Sequence, residues 1–227
     1  MDELFKQRDD LFEPDYINIH WLKRPADDTE EPVVFDDWYA HISLIRLSES
    51  VPREIREQFD TARNTLLYSW FSYRLRTVGL LYSYTVVENA LRERLQVKSK
   101  RGPGLGALLR KAVANGLLND SGFCVPRAGR QQSFKHEGDQ LTCQVTYDPP
   151  PLSDLRHRTT YVSQLCESIP RLRNSLAHGE PELFCDVLAP LMVHAALINM
   201  LFEPHEPGRQ NEHSTAWGKS NKSDVED

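Results

Sequence analysis

Between Leu66 and Leu95 apolar side chains recur three and four residues apart, at Leu66, Leu67, Trp70, Phe71, Leu75, Val78, Leu81, Tyr82, Val86, Leu91 and Leu95. That spacing keeps an apolar stripe on one face of a helix, and a strand, with its period of two, cannot present it. The run starts near Ser50, where Val51 and Pro52 precede acidic residues and suit a helix N-terminus. Residues 52–97 are therefore expected to be helical, as one long helix or two. LGALLRKAVANGLL at 105–118 reads as a short helix packed by Leu105, Leu108, Leu109 and Val113. Val162, Leu165, Ile169, Leu172 and Leu176 mark another within 154–178, which Pro170 is expected to kink or restart. From Pro181 to about Phe202 the chain is almost wholly apolar and helical in pattern, with a second proline at Pro190.

The remaining segments lack this period. Residues 1–50 mix acidic clusters with prolines and short alternations such as YINIHW and HISLIRL, and read as an irregular acidic arm with one or two short strands. Residues 119–153 form an insertion in which alternating Leu141, Cys143, Val145 and Tyr147 follow EGDQ, the pattern of a β-hairpin or loop. The tail at 204–227 is polar and is expected to be disordered. The expected fold is all-α: an antiparallel helical bundle over 51–203, carrying the insertion and preceded by the arm.

Composition narrows the function. No apolar run reaches the roughly 18–20 residues of a membrane span, so no membrane is expected as partner. The start, MDELFKQRDD, has neither the basic-then-apolar order of a secretory signal nor an Arg-rich transit pattern, and the expected compartment is the cytoplasm. Cys124, Cys143, Cys166 and Cys185 are too evenly scattered for a zinc site or a disulfide framework, and neither metal nor cofactor is expected. The net charge of −6 conceals an asymmetry: residues 71–178 carry 16 basic and 8 acidic groups, residues 1–70 carry 8 and 16. A polyanion would meet the basic middle.

Within that middle lies RLRNSLAHGEPE, residues 171–182. Gly179 suits a left-handed helix stop and Pro181 the first turn of the next helix, so His178 belongs at a helix C-terminus. A basic residue there can simply complement the helix dipole, with no reaction involved. Its neighbours favour more. Asn174 is four residues before His178 and Arg171 seven, so all three share a face, and Arg173 projects from the adjacent sector. Guanidinium forks match phosphate oxygens and an imidazole can move a proton at cellular pH. Such a set suits RNA cleavage by attack of the 2′-OH on the adjacent phosphate, with His178 as base or acid and Arg173 stabilising the phosphorane. Upstream, Glu88 lies on or beside the buried stripe, three residues from Leu91 and four from Tyr84. It is either the partner of Arg92, four residues on, or part of a site. No GxSxG is present, and RGPGLG lacks the Lys-Ser/Thr of a phosphate-binding loop.

RNSLAH resembles the R-x4-6-H signature of HEPN (higher eukaryote and prokaryote nucleotide-binding) domains, and VENALRERL, LGALLRKA and IPRLRNSLAHGE together are similar to HEPN proteins of bacterial defence and toxin systems. The resemblance covers about residues 55–203. It implies a helical bundle that often forms a homodimer with two motifs facing across a groove, and, in active members, a metal-independent endoribonuclease acting in phage defence or as a toxin. Arg173, Asn174 and His178 match the motif as catalytic residues. Arg171 is a second arginine at R-x6-H spacing and Glu88 matches the acidic position of the earlier helix; with Arg92 they are the expected substrate-binding residues. An antitoxin or regulatory protein is a further implied partner. The alternative within the resemblance is a non-catalytic HEPN module that binds RNA, a nucleotide or a protein. His178 is followed by Gly179 and Glu180, where members paired with a nucleotidyltransferase antitoxin tend to carry Tyr two places on, so control through such a Tyr is not expected.

Overall fold

The computed structural model describes residues 6–20, 22–23, 31–98, 102–120, 129–137, 140–148, 161–178 and 187–203. Its helices are α1 (Phe35–Leu44), α2 (Arg53–Tyr68), α3 (Leu75–Arg94), α4 (Leu105–Ala114), α5 (Tyr161–Ala177) and α6 (Leu188–Phe202). They form an all-α helical bundle. The helix α3 is its axis and packs against α2, α4, α5 and α6. This position explains why α3 buries Gly79, Leu80, Ser83, Tyr84, Val86, Val87, Ala90 and Leu91, a broader sector than one stripe. It also corrects one member of the expected stripe, because Val78 is 54% exposed while Arg76, two residues earlier, is buried.

The run expected over 52–97 is two antiparallel helices, separated at residues 69–74. Ser69 and Trp70 carbonyls there accept from the buried Nδ2 of Asn18, at 2.9 and 2.8 Å. Asp15 accepts from the Tyr73 N–H at 2.8 Å and donates its own N–H to Trp70 at 2.8 Å. The N-terminal arm is thus fastened to the α2–α3 turn by groups whose alternative is water. The expectation of an irregular arm fails in its second half, where FDDWYAHISL is the helix α1. Trp38 and Ile42, four apart, face the core, and the Trp38 indole donates to the Leu66 carbonyl at 3.1 Å. The Asp37 side chain accepts from the Val34 N–H at 3.1 Å, closing the first turn. Side chains at helical spacing, with Asp36 and Asp37 at the dipole's positive end, outweigh the short alternation in HISLIRL. Strands β1 (Leu22–Lys23) and β2 (Glu31–Pro32) form one small antiparallel pair.

The insertion leaves and returns at one place. The Asp120 carboxylate accepts from the N–H groups of Tyr161 and Val162 at 3.2 and 2.9 Å, so it caps α5 from 41 residues before its first residue. Between them β3 (Gly129–Glu137) pairs antiparallel with β4 (Gln140–Asp148), Glu137 opposite Gln140. The other end of α4 closes with Gly116 at φ 70°, its N–H on Val113 and that of Leu117 on Ala112, both at 2.9 Å. Pro190 falls in the first turn of α6, where its missing N–H costs nothing. The HGEPE turn after His178, the expected start of the last helix at Pro181 and the tail at 204–227 lie outside the described residues.

In the core α6 lies on α3, and His194 is buried. The Ser83 hydroxyl donates to the Leu80 carbonyl at 2.7 Å and lies 2.9 Å from His194 Nδ1, so it accepts the imidazole N–H. Burial pushes the His194 pKa down to about 3. No helix among the described residues is long and apolar enough to cross a membrane.

Candidate functional site

A groove of about 740 Å³ opens where α3, α4 and α5 meet. Its walls are Glu88 of α3, residues 104–107 and Arg110 of α4, and Cys166, Glu167, Pro170, Arg171, Arg173 and Asn174 of α5. Two residues set the approach of α4 to α5. A Cβ on Gly106 would lie 3.0 Å from Pro170 Cγ, so the absence of a side chain there lets the helices close. Pro170 stands inside an uninterrupted α5, rather than restarting it, and has no N–H to offer the Cys166 carbonyl. That carbonyl oxygen lies 3.7 Å from the same Gly106 position, so α4 packs on the turn the proline has loosened.

The residues singled out in the sequence meet here in part. Arg171, Arg173 and Asn174 line the groove, and Arg173 Nη1 donates to Asn174 Oδ1 at 3.4 Å. His178 is the first residue beyond α5, with its backbone N–H on the Asn174 carbonyl at 2.9 Å. Its side chain is exposed and is not among those lining the groove. Glu88 lines the groove and is also the ion-pair partner of Arg92, at 2.8 Å to Nη2 and 3.1 Å to Nε, both side chains 22% exposed. Arg92 reaches on to the Pro103 carbonyl at 3.1 Å and thereby holds the entry to α4. It anchors the wall without lining it.

Sequence reasoning missed Arg110, Gly106 and Cys166. Arg110 stands four residues after Gly106, and its Nη1 lies 3.7 Å from the Gly106 Cβ position, so the guanidinium folds back along the first turn of its own helix. The only cue was a glycine and an arginine at helical spacing just after a loop, which many ordinary helices share. Cys166 is buried, and burial raises its thiol pKa, with Arg110 acting in the opposite direction. It is therefore a thiol, not a thiolate, at neutral pH. Three guanidiniums face the groove against one carboxylate, Glu167, that forms no ion pair among the described residues. The groove wall is therefore locally basic, which favours an anionic ligand over a cationic one.

Among the described residues no group of three His, Cys, Asp or Glu is placed to hold a metal ion. No protein-family model, curated protein or solved structure matches this chain.

Proposed function

We propose that the chain is a metal-independent endoribonuclease of HEPN type, acting in phage defence or as the toxin of a toxin–antitoxin pair. The observation that carries the reading is the convergence of Arg171, Arg173 and Asn174 on one basic groove, with His178 four residues after Asn174, just beyond the end of α5. In the proposed reaction the 2′-oxygen attacks the adjacent phosphorus and the bond to the 5′-oxygen breaks, leaving a 2′,3′-cyclic phosphate and a 5′-hydroxyl. One His178 takes the proton of the 2′-OH. The other, from a second copy facing the first in a homodimer, gives a proton to the leaving 5′-oxygen. Arg173, steadied by Asn174, stabilises the charge that builds on the phosphorane.

The test is incubation of the purified chain with RNA in EDTA. Cleavage is expected, and His178→Ala or Arg173→Ala should slow it by about 100-fold or more, the range of a lost acid, base or charge stabiliser. His178 is exposed, so its replacement should move stability by no more than about 0.5 kcal/mol. Undiminished cutting by both variants would remove the proposal. A second reading, a non-catalytic HEPN module that binds RNA, a nucleotide or a protein, draws support from the position of His178 outside the groove lining. It would appear as salt-sensitive RNA binding without cleavage.

A further inference from the structure

The geometry points to Arg110 as a second phosphate contact of the groove, which grips a backbone phosphate next to the scissile one rather than the scissile phosphate itself. This rests on the polynucleotide reading above and deepens it. Arg110 enters the groove wall from α4, the side opposite Arg171 and Arg173 on α5. Its Nη1 lies 3.7 Å from the Cβ position of Gly106, beside the first helical turn. A cation belongs at the other end of a helix, because the first turn already carries the positive end of the dipole. Nothing in the turn offsets it: α4 has no acid there and no side-chain cap at Gly104. Arg110 also has no ion pair among the described residues, and Glu88 is occupied by Arg92. The guanidinium thus has no ion-pair partner among the described residues, although Glu167 lines the same groove, and stands where an anion would relieve both it and the helix end; its fork suits two phosphate oxygens. Pro170, where this turn of α4 touches α5, precedes His178 by eight residues, about 12 Å along a helix. That separation exceeds one phosphate group, and Arg173, three residues from Pro170, stands between Arg110 and His178, so a strand lying along α5 would present one phosphate to Arg173 and His178 and the next to Arg110.

Arg110 is exposed, so Arg110→Gln should fold as the parent does. The experiment follows binding of a fluorescent single-stranded oligoribonucleotide across a salt series, together with the melting temperature in inorganic pyrophosphate, for parent, Arg110→Gln, Arg110→Lys and a control, Arg53→Gln, on the far helix α2. Arg110→Gln should weaken RNA binding about tenfold, as expected for a lost charged hydrogen-bonded contact. It should also lower the slope of log affinity against log salt by about 0.7, one phosphate's share on a single strand. Arg110→Lys should keep the slope and recover part of the affinity, and Arg53→Gln should match the parent. If the parent binds RNA and Arg110→Gln binds it with equal affinity and slope, the second contact is overturned and the ribonuclease reading stands. If pyrophosphate stabilises the parent and not Arg110→Gln while RNA is neither bound nor cut, the anion subsite holds and the ribonuclease reading falls. Absence of both effects in the parent overturns both.

Discussion

Arg76 and Arg110 both project from helices of the central bundle, yet their guanidiniums meet opposite surroundings. Arg76 is 1% exposed, donates to Asn18 Oδ1 at 2.8 Å, and lies 4.9 Å from the ring of Trp38 and 4.6 Å from that of Tyr73. Its charge is spent inside the fold, where it joins the arm, α1 and the α2–α3 turn. Arg110 lies open in the groove against an uncapped helix end. The difference is one of surroundings: Arg76, although its Nε has no hydrogen-bond partner among the described residues, is locked between Asn18 and two rings, whereas Arg110 forms no ion pair among them and faces the groove.

Three experiments can break or sharpen that comparison. The largest effect is expected from Arg76→Ala, which opens a cavity between two aromatic rings and strands Asn18. Chemical denaturation should show a loss of about 3 kcal/mol or more, while the folded fraction still binds RNA. A variant as stable as the parent would mean that the buried guanidinium is not the fastener described. Next comes acid. His194 has a folded pKa of about 3 against an ordinary 6.5, so the fold keeps it neutral while the unfolded chain takes up a proton. Stability is fully present above about pH 6.5 and falls as pH drops toward 3, by up to about 1.4 kcal/mol per unit. Between pH 6.5 and 5 this amounts to about 1.6 kcal/mol, and His194→Leu should remove that part of the pH dependence. Equal slopes for the two proteins would count against a buried neutral imidazole. The smallest effect is Asp120→Ala, which uncaps α5 and should cost about 1 kcal/mol. Because α5 carries Arg171, Arg173 and Asn174, a cap variant that lowers RNA affinity as well would show that the groove's order depends on the insertion's closure.

The legible part of the fold lay in repeated spacing. Leu66, Val86, Leu91, Leu108 and Ile169 are buried in helices whose period was visible residue by residue. The short period in the arm misled. HISLIRL offered alternation over a few residues, and only contact with the core tells that Trp38 and Ile42 point one way. The broad burial of α3 was hidden for a related reason. Arg76 and Ser83 are polar by type and become interior only because Asn18 and His194 arrive from segments 58 and 111 residues away.

The candidate site divides along the same line. Arg171, Arg173 and Asn174 share one helix with His178 just past its end, and covalent geometry alone puts Arg171, Asn174 and His178 on one face, since residues three, four and seven apart on a helix are neighbours, with Arg173 in the adjacent sector. That much the order of amino acids determined. Only the packing of helices decided that Arg110 faces them, that Gly106 and Pro170 set the gap, that Glu88 turns to Arg92, and that His178 ends up beyond the groove lining. The physical reason is range. Local periodicity follows from bond rotations within a few residues, whereas the meeting of α3, α4 and α5 depends on which buried surfaces fit, a property of the whole bundle.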